Sequence, residues 1–323
     1  MPSSQLQKHP LQTAQLPPAI FLMGPTAAGK TDLAVELVQQ RACEIISVDS
    51  AQIYQGMDIG SAKPDAQTLA AAPHHLIDIC DPVESYSAAR FRTDALALMA
   101  QITARGKVPL LVGGTMMYYK ALKDGLAQLP LSEPIIRGQL EQEISDHGLA
   151  AMHVRLCEID PVAGARINAA DPQRITRAME VFLLSGETLT AHWSRQQKQQ
   201  LPYQVMSVGV WPPDRALLHQ RIEQRFELML QQGFRHEVES LMARGDLHLD
   251  LPSMRCVGYR QMWQHLTGEY DDATMQYKGI VATRQLAKRQ LTWLRSWPEL
   301  QMFDSLDTKL AFKVLQLFDR IGD

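Results

Sequence analysis

Cysteine is scarce in this chain: there are four in 323 residues, at positions 43, 80, 157 and 256, and no two form a Cys-x-x-Cys pair. That spacing excludes a disulfide framework and a four-cysteine zinc site, and it fits a chain kept reduced in the cytoplasm. The ten histidines contain no H-E-x-x-H pattern and one adjacent pair, His74-His75, so no metalloprotease-type centre is indicated. Long apolar runs are absent too. The strongest, residues 19–23 and 110–112, have strand length, far short of the roughly 18 residues that cross a bilayer, so no membrane segment is predicted. Residues 1–16 are polar, lack the apolar stretch of a secretory signal and read as a loose tail. Nor is there a basic excess. With 32 Lys and Arg against 35 Asp and Glu, the net charge is −3, so any contact with nucleic acid must come from a local patch. The remainder, 46% hydrophobic and 21% charged, is the usage of an ordinary globular chain of about two domains.

The apolar run 19–23 leads into a glycine-containing turn at 24–31, after which Leu33, Ala34, Leu37 and Val38 recur at helical spacing. A second β-branched run, 44–48, ends at Asp49, and a third, 108–112, ends at Gly113-Gly114, with a helical stretch at 87–104 between them. This alternation predicts a parallel α/β sheet, in which ligands sit at the carboxyl ends of the strands. From 130 to 202 strand runs vanish. Asp160-Pro161 and Asp171-Pro172 mark helix starts there, and Gly186 marks a stop. Strand character resumes at 205–210, followed by a helix from Asp214 to Gly233 and one of about 25 residues before Pro298. The predicted fold class is α/β. A phosphate-loop parallel-sheet domain (17–129 and 203–305) is split by a helical insertion (130–202), and 306–323 form a C-terminal segment.

Gly24-Pro25-Thr26-Ala27-Ala28-Gly29-Lys30-Thr31 matches G-x-x-x-x-G-K-[ST] at every fixed position, which average usage would give in roughly 1% of chains this long. In such a loop the backbone N–H groups face a phosphate, the lysine neutralises charge and the threonine hydroxyl ligates magnesium. The loop therefore predicts a di- or triphosphate ligand and a Mg2+ ion held by Thr31. It leaves open whether the chemistry is that of a kinase or another transfer.

Further motifs are Ser47-Val48-Asp49-Ser50-Ala51-Gln52-Ile53-Tyr54, Gly60-Ser61-Ala62-Lys63-Pro64, Gly113-Gly114-Thr115-Met116-Met117-Tyr118, Asp171-Pro172-Gln173-Arg174-Ile175-Thr176-Arg177, Arg255-Cys256-Val257-Gly258-Tyr259-Arg260 and the stretch 288–295. Together with the phosphate loop, and in this order from about 17 to about 300, they resemble the tRNA dimethylallyltransferases in their bacterial form. The resemblance implies transfer of a dimethylallyl group from dimethylallyl diphosphate to the N6 amine of the adenosine 3′ of the anticodon. It also implies that the anticodon stem-loop of tRNA is the partner; a cytoplasmic monomer is expected. The runner-up readings are an ATP-dependent nucleoside or nucleotide kinase and a non-catalytic RNA-binding module.

An exocyclic adenine amine needs a proton acceptor as its new bond forms, and Asp49, at a strand's carboxyl end, is the candidate general base. Magnesium ligation through water and a plain helix N-cap are its alternatives. Thr115 is a candidate contact to the target adenine, or a helix cap. The resemblance implies tRNA contacts at Asp49, Ser50, Ala51 and Gln52; at Thr115; at Arg137; at Gln173, Arg174, Ile175, Thr176 and Arg177; at Arg255, Cys256, Val257, Gly258, Tyr259 and Arg260; and at Lys288, Arg289, Gln290, Leu291, Thr292, Trp293, Leu294 and Arg295. Between 273 and 298 the chain carries five basic residues and no acidic one, and Arg284, Lys288 and Arg295 share a helical face, the local patch that the net charge requires. Arg221 and Arg225, at i and i+4, read as a solvated face, with added charge near the diphosphate as the alternative.

Overall fold

The computed structural model describes residues 16–195 and 200–321. Apart from Leu16, the tail expected at 1–16 lies outside them. In chain order the elements are β1 (Pro18–Met23), α1 (Lys30–Gln40), β2 (Cys43–Val48), α2 (Ala66–Ala71), β3 (His74–His75), α3 (Ala88–Ala104), β4 (Val108–Gly113) and α4 (Met116–Asp124). Five helices follow, α5 (Pro134–His147), α6 (Leu149–Ile159), α7 (Pro161–Arg166), α8 (Pro172–Ser185) and α9 (Leu189–Ser194). The chain then returns to β5 (Gln204–Trp211), α10 (Arg215–Gln231), α11 (Phe234–Ala243), α12 (Tyr259–Leu266), α13 (Asp272–Arg295), β6 (Gln301–Asp304) and α14 (Leu310–Ile321).

The strands form one sheet in the order β3-β2-β4-β1-β5-β6, with every pairing parallel. Side chains alternate across a strand, so β1 sends Phe21 and Met23 to one face and Ile20 and Leu22 to the other. The first face packs with Ile46, Val48 and Leu111 against Phe91, Met99, Tyr119, Phe226 and Leu294 of the helices that cover it. The second packs with Ile45, Leu110 and Val208 against Leu33 and Leu37 of α1 and Val314, Leu315 and Leu317 of α14. Coverage of both faces explains why β1 is apolar throughout instead of alternating. It also corrects the boundary expected at 305, because the segment after it supplies part of this core.

The chain divides into two compact units, Lys123–Gln200 and the remainder on either side of it. The helical unit has its own core of Leu140, Met152, Leu156, Ile175, Met179 and Val181. Its helix starts are capped as the Asp-Pro pairs predict: Asp160 accepts from the Ala163 N–H at 3.0 Å and Asp171 from the Arg174 N–H at 3.1 Å, while Gly186 closes α8 at φ +71°. The unit begins before 130 because its own groups hold the preceding chain. Leu129 packs on the core, and the Pro130 carbonyl accepts from Arg177 Nη2 at 2.6 Å. Among the described residues no helix is long and apolar enough to cross a membrane.

Candidate active site at the strand ends

The carboxyl ends of β1, β2 and β4 bring together the three loops singled out in the sequence. The first is 24–31. Gly24 is required there, since a Cβ would lie 2.3 Å from the Val210 carbonyl oxygen of β5. Ala27 turns the loop in the left-handed region at φ +62°, a conformation that costs an alanine about 1 kcal/mol. Lys30 Nζ donates to the Pro25 carbonyl at 2.8 Å, and burial lowers the ammonium from its ordinary value to about 8, with Asp49 acting against that shift and Arg225 adding to it. Thr31 is half-buried in the first turn of α1. No cluster of three His, Cys, Asp or Glu ligands exists among the described residues, so a divalent ion here would take most of its ligands from phosphate oxygens and water. A magnesium ion with one hydroxyl ligand fits that donor set.

The second loop begins at Asp49. Its Oδ1 accepts from the N–H groups of Ala51 at 2.8 Å and Gln52 at 3.3 Å, which fixes the carboxylate in an Asx turn. Oδ2 takes no protein hydrogen bond among the described residues. Gln52 is clamped between Ser47 Oγ at 3.1 Å and the Ala62 carbonyl at 3.1 Å. The third loop places Thr115 against the second: Thr115 Oγ1 accepts from the Ser50 N–H at 3.1 Å, and its own N–H donates to the Val48 carbonyl at 3.1 Å. The hydroxyl therefore joins the Asp49 turn to β4, and the reading of Thr115 as a mere cap for the following helix gives way to this cross-loop bond.

Arg225 corrects the solvated-face reading. It is a half-buried residue whose Nη2 reaches the Ala62 carbonyl at 3.5 Å, and burial lowers its guanidinium against the pull of Asp49 and Asp32. With Arg221 it lines a cavity of about 610 Å³ beside the loop, together with Ala27, Gly29, Asp32 and Ser305. Sequence reasoning gives no sign of Glu237. Its carboxylate accepts from the N–H groups of Asp58, Ile59 and Gly60 at 2.9, 2.7 and 3.1 Å and from Tyr259 OH at 2.6 Å, holding the loop that presents Ala62. A carboxylate acceptor far along the chain leaves no local signature.

The residues implied as tRNA contacts separate by helical face. Gln173, Arg174, Arg255, Arg260, Lys288, Arg289, Thr292 and Arg295 are exposed. Arg174 and Arg255 pair loosely with Asp171 and Asp250, both at 3.3 Å, and Arg137 with Glu141 at 3.1 Å. Val257 and Trp293 are half-buried, and Gly258 opens α12 at φ +93°. Ile175, Thr176, Tyr259, Leu291 and Leu294 are buried. These five are packing residues, a correction that follows from the 3.6-residue period of the helices carrying them. Arg177 is another correction, since its Nη1 lies 2.6 Å from Glu180 Oε2, a side chain with no exposed surface. Cys256 adjoins the Asp49 region, where burial first and the Asp49 charge second push its thiol up to about 12. On α13, Arg284 is tied to Glu223 at 2.7 Å and Lys278 lies over the Tyr270 ring at 4.0 Å, which leaves Lys288, Arg289 and Arg295 as the exposed basic patch.

A phosphate loop, a carboxylate and a hydroxyl at adjoining strand ends of a parallel sheet define a phosphate-loop group transferase. Residues 52–297 match the profile of the IPP transferases and 18–80 that of the isopentenyl transferases. The chain belongs to the IPP transferase family. It is 34% identical to the tRNA isopentenylpyrophosphate transferase of Bacillus halodurans, covering 94% of this chain and 95% of that one with a TM-score of 0.69. The Staphylococcus epidermidis tRNA delta(2)-isopentenylpyrophosphate transferase is 31% identical, with 95% and 99% covered and a TM-score of 0.68. A eukaryotic dimethylallyltransferase acting on tRNA is 22% identical and shares the fold at a TM-score of 0.80 over 94% of this chain and 79% of that one.

Proposed function

We propose that this chain transfers a dimethylallyl group from dimethylallyl diphosphate to the N6 amine of the adenosine 3′ of the anticodon in tRNA, as a cytoplasmic monomer. The observation that carries the reading is the Asp49 carboxylate, held by two backbone N–H groups and tied through Ser50 to Thr115, at a strand end adjoining the phosphate loop. A phosphate loop with no acceptor carboxylate at hand would suit binding alone.

In this reading the adenine amine attacks C1 of the dimethylallyl group, its N6 proton passes to Asp49, and the electron pair of the breaking carbon–oxygen bond leaves on diphosphate. Lys30, Arg225 and the N–H groups of residues 27–31 stabilise the charge that accumulates on the leaving group, an interaction stronger in the transition state than before it. Magnesium, when bound through Thr31, would add positive charge to the same oxygens. Thr115 orients the base-side loop. Gln173, Arg174, Lys288, Arg289 and Arg295 supply phosphate contacts, which position RNA without reading its sequence.

The test is to incubate the protein with magnesium, unmodified tRNA and either dimethylallyl diphosphate or ATP, then weigh the RNA. One added five-carbon group on the adenosine after the anticodon is expected. A phosphorylated product, or ADP formed with no prenylated RNA, would overturn the reading in favour of a kinase.

A further inference from the structure

The geometry points to a positioning role for Gln290, and we propose that its side-chain amide fixes the spacing between the phosphate loop and the loop that carries Thr115. The proposal deepens the transfer reading above and rests on it. Gln290 lies on α13 between exposed Arg289 and buried Leu291, and is itself half-buried. Its Oε1 accepts from the Thr26 N–H at 2.9 Å, and its Nε2 donates to the Gly114 carbonyl at 3.0 Å. One planar amide thus satisfies a donor of the first loop and an acceptor of the other, each with a different atom. Gly114 makes room for it, since a Cβ there would lie 2.3 Å from Nε2. The residue after Gly114 is Thr115, whose hydroxyl holds Ser50 beside Asp49. The amide therefore connects the groups that hold the leaving diphosphate to those that face the incoming amine. A side chain turned toward RNA would be exposed, as Lys288, Arg289, Thr292 and Arg295 on the same helix are.

Transfer depends on the distance between the two reacting groups, and a displacement of about 1 Å costs on the order of 100-fold in rate. For Gln290→Leu we expect the single-turnover rate at saturating substrates to fall about 10- to 100-fold. The tRNA dissociation constant and its salt slope should stay within about twofold, since every phosphate-binding side chain is kept. Gly114→Ala, which keeps Gln290 but displaces its amide, should lose a similar amount, and the double variant should be no worse than either single one. Hydrogen exchange at the Thr26 amide should be faster in both single variants than in the wild type. Should Gln290→Leu fail to fold, Gln290→Glu keeps the size and the Thr26 acceptor while setting an oxygen against the Gly114 carbonyl, and the same rate loss is expected.

Weaker tRNA binding with a shallower salt slope and a normal saturated rate would overturn the proposal, making Gln290 an RNA contact. A wild-type rate with only a lower melting temperature would overturn it as packing. Unchanged exchange at Thr26 in Gln290→Leu would refute the bridge whatever the activity. The exchange measurement also separates this proposal from the transfer reading, because it decides the bridge even if the wild type prenylates nothing.

Discussion

Lys30 should take up a proton when the diphosphate binds, and the uptake should grow with pH. Burial holds its ammonium down at about 8, against an ordinary 10.5. With that value the group is about nine-tenths protonated at pH 7 and about one-tenth at pH 9. A bound diphosphate, fully ionised in this range, brings about three negative charges and should restore the proton at both pH values, so uptake is about 0.1 proton per ligand at pH 7 and about 0.9 at pH 9. By linkage the affinity should weaken about tenfold between them. The ligand's own last ionisation, at about 6 for a phosphate ester, lies below this window. The Cys256 thiol, at about 12, lies above it. Calorimetry of dimethylallyl diphosphate with magnesium, in two buffers of different ionisation enthalpy, reads the proton count directly. Lys30→Arg, which stays charged throughout, is the control and should show no added uptake at pH 9. Equal uptake by the wild type at the two pH values would mean that Lys30 already holds its proton before the ligand binds. The sign for stability follows from the same shift. A lowered lysine means that the folded state binds fewer protons than the unfolded state between about 8 and 10.5, so the stability of the ligand-free protein should rise with pH across that window.

Asp49→Asn keeps an oxygen for the Ala51 and Gln52 N–H groups but cannot accept the amine's proton; turnover should fall at least about 100-fold with tRNA affinity unchanged in a filter-binding assay. Replacing Arg289 or Arg295 by Ala should lower the log–log salt slope of tRNA binding by about 0.7 for each phosphate that the side chain neutralises on a single-stranded loop. Arg177→Met should leave that slope alone and destabilise the helical unit by about 2 kcal/mol in denaturant unfolding, because it takes the cation from the buried Glu180 carboxylate and leaves it only Ser132 Oγ and the Glu133 N–H as donors.

The centre of the sheet and the phosphate loop are legible in the sequence because their signals are local. An apolar strand, the eight-residue motif 24–31 that runs into the helix, and a helical stripe follow one another within 18–40. Asp49 and Thr115 are legible for a related reason, since each closely follows a strand and strand ends converge in such sheets. Arg225, Glu237 and Gln290 give no such signal, because what each contacts is set by packing over long separations; Gln290 and Thr26 are 264 residues apart. The blocks 173–177, 255–260 and 288–295 look like continuous contact segments in the sequence, but a helix turns every third or fourth residue inward. Arg177 shows a further limit. Its charge marks it for solvent or phosphate, and only the position of Glu180 on the same helix turns it to an internal partner.

The neighbours of β1 also set an order of assembly. It pairs with β4 on one side and with β5 on the other, and β5 follows the whole helical unit in the chain. During synthesis the phosphate loop would emerge early and wait, because the Val210 carbonyl that packs against Gly24 belongs to β5. Until then one edge of β1 offers unpaired N–H and C=O groups, and Ile20 and Leu22 lack the cover that α14 brings last. The nascent chain thus carries an open edge until β5 has emerged, which exposes it to mispairing. A slow step late in refolding, after the helices of 123–200 have formed around their own core, would be its kinetic trace.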